Sequence, residues 1–222
     1  MVNNRGFSLI ELMVALAIMS FTLLIATQGY SFFMQRWQHE LGEFDSIMKQ
    51  AKNLALVEQV LKGTYPFVIR NEQEEPMLYF EGDKDGMVAV TTKALYKDGT
   101  PTVFRFSIEQ KEDFTYSLVY EESKANKQRA FTHNNQAIDF ERKLLLLTDV
   151  DFIEFSYFGY ENRESRNDLG NKVWWSTFNS LNRLIMPEQV NIKFGKNGTE
   201  QSIDIPISQL EPGAMVLFYD TF

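Results

Sequence analysis

Between Glu11 and Arg36 the chain carries 24 consecutive residues, Leu12–Gln35, without a formal charge, and Leu12–Ala26 is interrupted only by Ser20 and Thr22. About 20 apolar residues in a helix cross the hydrocarbon of a bilayer. A segment this long and uniform must therefore be covered by lipid or by other apolar helices. Ahead of it lies only MVNNRG, with Arg5 as its one charge. A cleaved secretory signal would suit such a start, and Ala15-Leu16-Ala17 even supplies an A-x-A triplet. That triplet sits inside the apolar run, however, and cutting there would leave a sticky stump. A plain signal anchor fits better but leaves Glu11 unexplained, since an ionisable group in hydrocarbon costs a few kcal/mol and is by default functional.

Charge and cysteine content narrow the partners. Lys and Arg number 22 against 30 Asp and Glu, a net charge of −8 that belongs wholly to residues 41–222. The basic surface needed for sequence-independent nucleic-acid binding is missing. Cysteine is absent and His39 and His133 are the only imidazoles. Thiolate chemistry is thereby removed, and a zinc hydrolase would lack ligands. The sequence holds no G-x-S-x-G elbow, Walker loop, G-x-G-x-x-G or H-E-x-x-H. The chain reads as a non-enzyme that needs no cofactor.

No Gly or Pro falls between Phe7 and Gln28, and the next breakers are Gly29, Gly42 and the Gly63/Pro66 pair. A helix from Phe7 to about Leu61 is expected, roughly 80 Å long at 1.5 Å per residue, with bends at Gly29 and Gly42. Its second half is amphipathic: Leu41, Phe44, Ile47, Met48, Ala51, Leu54 and Ala55 share one arc. This stripe is expected to pack on the protein's own domain, with a partner-binding face as the alternative. After Gly63 the period drops to two. Strands are expected at Pro66–Arg70, Met77–Glu81, Met87–Thr92, Thr102–Gln110, Phe114–Glu121, Val150–Tyr157, Gln189–Phe194 and Gln201–Ile205. Turns fall at Asp83-Lys84-Asp85-Gly86, Lys97-Asp98-Gly99 and Lys196-Asn197-Gly198-Thr199, the last being the strongest hairpin signal. Polar loops are expected over Glu122–Gln136 and Gly159–Lys172.

The stretch Gly6-Phe7-Ser8-Leu9-Ile10-Glu11-Leu12-Met13-Val14-Ala15 resembles the N-terminal signature of type IV pilins and pseudopilins. The resemblance implies that a prepilin peptidase cuts after Gly6 and methylates the new amine of Phe7. Glu11 is then assigned to assembly, its carboxylate pairing with a Phe7 amine on the same or a neighbouring subunit, because an unpaired buried ion is strongly destabilising. Further along, Leu144–Leu147, Val150–Tyr157, Trp174-Trp175 and Met186-Pro187 are similar in order to the J-type minor pseudopilin of type II secretion. That likeness implies a subunit at the tip of the secretion pseudopilus, bound to I-type and K-type minor pseudopilins and to the major pseudopilin. It would be a single-pass inner-membrane protein with its head in the periplasm of a Gram-negative bacterium. The alternative is a minor type IV pilin that primes a surface pilus such as an MSHA-like one.

The fold expected is α+β and pilin-like, a long transmembrane and amphipathic helix packed on an antiparallel β head. Its parts are a cleaved leader over 1–6, an apolar helix over 7–28, an amphipathic continuation over 29–62 and a head over 63–222. Two acidic groups need weighing. Asp83 and Asp85 sit at calcium-loop spacing, but position twelve would be Thr92 rather than the closing Glu, so a solvated hairpin turn is preferred. Asp149, Asp151 and Glu154 alternate as the polar face of a sheet would, and the Trp174-Trp175 pair reads as core before binding platform. Processing makes a direct prediction: the protein purified from its native membrane should begin at N-methyl-Phe7 by intact mass spectrometry, and a terminus at Met1 or after Ala17 would refute the assignment.

Overall fold

A computed structural model of the protein describes residues 9–96, 98–123, 138–211 and 214. The chain divides into two compact units, Met1–Lys49 and Gln50–Phe222. One helix, α1 (Leu9–Lys62), runs unbroken by Gly29 or Gly42 and supplies all the described structure of the first unit. Uninterrupted helix formers on either side of each glycine outweigh its cost of about 1 kcal/mol.

Among the described residues the second unit holds the last turns of α1 and twelve strands. These are β1 (Val68–Arg70), β2 (Pro76–Leu78), β3 (Phe80–Asp83), β4 (Gly86–Lys93), β5 (Asp98–Gln110) and β6 (Tyr116–Ser123). They continue as β7 (Phe140–Val150), β8 (Phe152–Gly159), β9 (Val173–Trp175), β10 (Phe178–Asn179), β11 (Gln189–Lys196) and β12 (Thr199–Pro206). Two short helices, α2 (Arg163–Asn167) and α3 (Ser180–Arg183), lie in the later connections. Every described pairing is antiparallel: a six-stranded sheet β10-β3-β4-β5-β6-β7, a four-stranded sheet β12-β11-β8-β9, and the small β1–β2 hairpin. The expected α+β fold, a helix packed on antiparallel sheets, is what the chain adopts.

Alternation builds the core. Phe104 and Phe106 on β5, Leu118 and Tyr120 on β6, Phe155 and Tyr157 on β8, and Val190, Ile192 and Phe194 on β11 point to one buried layer shared by both large sheets. Val57, Val60 and Leu61 of α1, each 1% exposed or less, enter the same layer. The helix then stops on the sheet. The Gly63 amide donates to Gln59 O at 3.1 Å, the Thr91 hydroxyl donates to Val60 O at 2.8 Å, and the Thr92 amide donates to Gly63 O at 3.0 Å. Orphan carbonyls of a helix end are thus satisfied by β4. A side chain at position 63 would collide with Thr91 and Lys93, which makes glycine obligatory there.

Several sequence expectations are corrected. Most of the amphipathic stripe does not enter the core: Phe44, Ile47 and Met48 are 58%, 63% and 54% exposed, and Ala51 and Ala55 are exposed as well, while the side chain of Leu41 lies outside those described. At 100° per residue, the buried face of Asn53, Val57 and Leu61 is displaced from that stripe by roughly a third of a turn. Leu54, half-buried, is the residue the two arcs share. Strand β7 lies where no strand was expected. Its sequence FERKLLLLTDV lacks period two, and the structure explains why: register shifts against β6 bring both Leu146 and Leu147 inside while Leu145 stays 46% exposed.

The expected Met77–Glu81 strand is split into β2 and β3 by Tyr79. The expected start at Phe114 moves to Tyr116, because Lys111–Thr115 forms a turn in which the Asp113 carboxylate accepts from the Thr115 amide and hydroxyl, leaving Phe114 at φ 62°. Val150 closes β7 rather than opening β8. The turn expected at Lys97-Asp98-Gly99 falls earlier, since Asp98 already pairs with Lys93; Lys97 itself lies outside the described residues. Of the two polar loops, Gly159–Lys172 contains α2, while positions 124–136 lie outside the described residues.

Leu61→Ala should lower the unfolding free energy of the detergent-solubilised chain by about 2–5 kcal/mol, whereas Phe44→Ala should change it by less than about 0.5 kcal/mol. Denaturant melts of both variants check the corrected face assignment directly.

Candidate functional site: the N-terminal apolar helix

The segment Leu9–Trp37 of α1 has 29 residues with a mean hydropathy of 2.4 and is long and apolar enough to cross a membrane. Its side chains are uncovered all round, Leu9, Ile10, Met13, Ile18 and Phe21 each being more than 60% exposed. A helix apolar on every face belongs in lipid or among other helices. Its serine and threonine hydroxyls are satisfied within the helix: Ser20, Thr22, Thr27 and Ser31 donate to the carbonyls of Leu16, Ile18, Leu23 and Thr27 at 2.7–3.0 Å. No hydroxyl of these four brings an unmet polar group into hydrocarbon.

Glu11 stands in the first turn of α1, where the positive end of the helix dipole favours a carboxylate. Of the other two residues assigned to processing, Gly6 and Phe7, both lie outside the described residues. Tyr30, Phe33 and Trp37, at the far end of the span, were not singled out by the sequence reading. Their signal was the i, i+3, i+7 spacing. Phe33 and Trp37 stack with ring centroids 5.9 Å apart.

The remaining candidates fall in the second unit and serve its architecture. The Asp83–Gly86 turn has all four carbonyls engaged. Tyr157 Oη donates toward Asp83 O at 2.9 Å and Gly86 O at 2.7 Å, the Phe155 amide donates to Lys84 O at 3.0 Å, and the Ile108 amide donates to Asp85 O at 3.0 Å. Asp83 Oδ1 accepts from the Asp85 amide at 2.8 Å. This is a hairpin turn sewn to β8, and the Tyr157 ring packs where Gly82 offers no side chain. Among the described residues no group of three or more His, Asp or Glu converges as metal ligands would.

The second acidic group does not form one polar face. Asp149, at φ 58°, accepts from Lys111 Nζ at 2.6 Å, which holds its carboxyl below the usual range. Asp151 accepts from the Gly198 amide at 3.4 Å, and only Glu154 stands on the outer side of β8. The tryptophan pair is divided by strand alternation. Trp175 is half-buried, with its Nε1 donating to Gly159 O at 3.2 Å and the Arg183 guanidinium 4.1 Å above its ring. Trp174 is 48% exposed, against Phe158. It is therefore not core, contrary to expectation.

One polar cluster had no signal in the sequence. Glu122 is 2% exposed and accepts from the Tyr120 hydroxyl at 2.7 Å and from the Tyr96 amide at 3.4 Å, while Arg142 Nη1 lies 3.6 Å from its other oxygen. Burial, and then the Glu122 hydrogen bond and charge, push the Tyr120 hydroxyl far above its ordinary pKa. The cluster ties the β4–β5 connection to β6 and β7.

Residues 1–27 match the family model described as the prokaryotic N-terminal methylation motif, the prepilin signal of type IV pilin-like proteins. No curated protein matches the chain. The match covers Gly6, Phe7 and Glu11 and most of the uncharged run, and it ends before the aromatic residues at Tyr30–Trp37.

Two outcomes follow from the turn geometry. Tyr157→Phe should cost about 1–3 kcal/mol, because it leaves buried carbonyls without a donor. Millimolar calcium or a chelator should not shift the melting temperature, and a calcium-dependent rise of several degrees would show that Asp83 and Asp85 recruit a further carboxylate.

Proposed function

We propose that the chain is a minor pseudopilin at the tip of the type II secretion pseudopilus, a structural and assembly subunit without enzymatic activity. The observation that carries this reading is the methylation motif over residues 1–27 opening a 54-residue helix that ends in an antiparallel β head. Before assembly the apolar span is stored in the inner membrane with the head in the periplasm. Prepilin peptidase removes residues 1–6 and methylates Phe7. During assembly the helix leaves lipid for neighbouring helices, and the Glu11 carboxylate then needs a cation in a medium where an unpaired charge is costly. The Phe7 amine exposed by cleavage supplies it.

The partners in this reading are the I-type and K-type minor pseudopilins and the major pseudopilin. The exposed side chains of Phe44, Ile47 and Met48 favour the alternative use of the amphipathic stripe, as a face for those subunits rather than for the chain's own core. The order Leu144–Leu147, Val150–Tyr157, Trp174-Trp175 and Met186-Pro187 supports the J-type assignment within the group.

Deleting the coding sequence should trap exported folded proteins in the periplasm. Intact secretion with loss of surface pili would instead assign the chain to a pilus machine as a priming minor pilin. Glu11→Ala should leave membrane insertion unchanged and reduce secretion, measured as the extracellular fraction of an exported enzyme. Full secretion by that variant would remove the pairing role.

A further inference from the structure

We propose that Tyr30, Phe33 and Trp37 form an aromatic collar that seats α1 in the headgroup layer of the bilayer leaflet far from Glu11 and so fixes how deeply the helix inserts; the inference rests on the membrane-stored subunit described above. The uncharged run Leu12–Gln35 has 24 residues, whereas about 20 suffice to cross the hydrocarbon. Apolarity alone therefore leaves the helix free to slide by roughly one turn. Something else must set its register.

Charge bounds both ends, at Glu11 and at Arg36. Taking Leu12, the first residue after Glu11, as the start of the hydrocarbon, about 20 residues at 1.5 Å each reach Ser31. Up to that point the hydroxyls of Ser20, Thr22, Thr27 and Ser31 are satisfied by their own helix. Beyond it the composition changes. Tyr30, Phe32, Phe33 and Trp37 fall within the last eight residues of the span, against Phe21 alone before them. Tyr and Trp concentrate at membrane interfaces because each has an apolar body and a polar tip. From Glu11 to Trp37 the helix rises roughly 39 Å, close to the 40–45 Å of a bilayer with its headgroups. Both ends of the span thus meet the two polar layers together.

Tyr30, Phe33 and Trp37 are 65%, 58% and 51% exposed and share a stripe about 60° wide. The stripe is continuous with the apolar span itself. A neighbouring helix would ask for apolar groups on one seam only. Phe32, 70% exposed, lies on nearly the opposite side from Tyr30. Aromatic groups therefore face two sides of the helix at this level, as a lipid layer accommodates and a single helical seam does not.

The test uses the absence of native cysteine. Single substitutions Leu16→Cys, Leu23→Cys, Gln28→Cys, Ser31→Cys, Gln35→Cys and Gln38→Cys are made in the full chain. Each protein is reconstituted in phosphatidylethanolamine/phosphatidylglycerol vesicles and exposed to a membrane-impermeant maleimide. Protection should extend to Ser31 and labelling should begin by Gln35. In a Tyr30→Leu/Phe33→Leu/Trp37→Leu background the boundary should move about one turn toward the C-terminus, so that Gln35→Cys becomes protected. Restoring the native Trp37 alone in that background should move it back.

An unmoved boundary in the triple variant overturns the collar while leaving the membrane reading intact. Protection repeating every three to four residues, rather than ending at a boundary, overturns it in favour of a helical partner. Labelling at all six positions overturns both the collar and the membrane-stored subunit.

Discussion

Burial of Val57, Val60 and Leu61 in the core layer that both large sheets share is the interaction on which the second unit depends. These residues belong to the same helix as the apolar span, so one element meets two environments. Over Leu9–Trp37 it is apolar on every face; by Asn53 it is one-sided, with Lys52 and Lys62 exposed and Val57 buried. The change is achieved by composition alone, without a proline or a break in the helix. Each fully buried aliphatic side chain contributes about 1.5–3 kcal/mol, enough for three of them to hold the helix end in a domain whose net stability is only about 5–15 kcal/mol.

How much of this was legible depended on whether a local rule was obeyed. Asn197 and Gly198, at φ 53° and 75°, form the two-residue turn that their identity demands, and the β11–β12 hairpin followed from sequence without help. Strand β8 alternates cleanly and β11 nearly so, and these two, with β4 and β5, were found within a few residues. Strand β7 was not, because its bulges put consecutive leucines on the same side. The amphipathic stripe failed for a different reason. A helical wheel shows that Phe44, Ile47 and Met48 share a face, but it does not say which of two apolar faces the sheets will take. Packing against β4 and β7 chose the face of Val57, with Asn53 Nδ2 donating to Leu146 O at 2.6 Å.

The candidate site shows the opposite balance. Gly6, Phe7 and Glu11 could be singled out from sequence because a processing signal is a short linear motif, and the match over residues 1–27 spans all three. Glu122 was invisible, since its burial depends on Tyr120, Tyr96 and Arg142, which come together only through sheet pairing. Asp83 and Asp85 looked like ligands by spacing, yet the tyrosine that occupies their turn lies more than seventy positions away. Linear chemistry was therefore legible and spatial chemistry was not.

The junction at Gly63 also has a mechanical consequence. Thr91 holds the Val60 carbonyl of α1 and Thr92 the Gly63 carbonyl just beyond it, and both belong to β4, which is hydrogen-bonded to β3 on one side and β5 on the other. Tension or thrust delivered along the helix end enters the head at an interior strand. Unravelling the edge strands β7 or β10 would leave that anchorage in place. A load on the last turns of α1 can thus enter the sheet without first peeling open its edges.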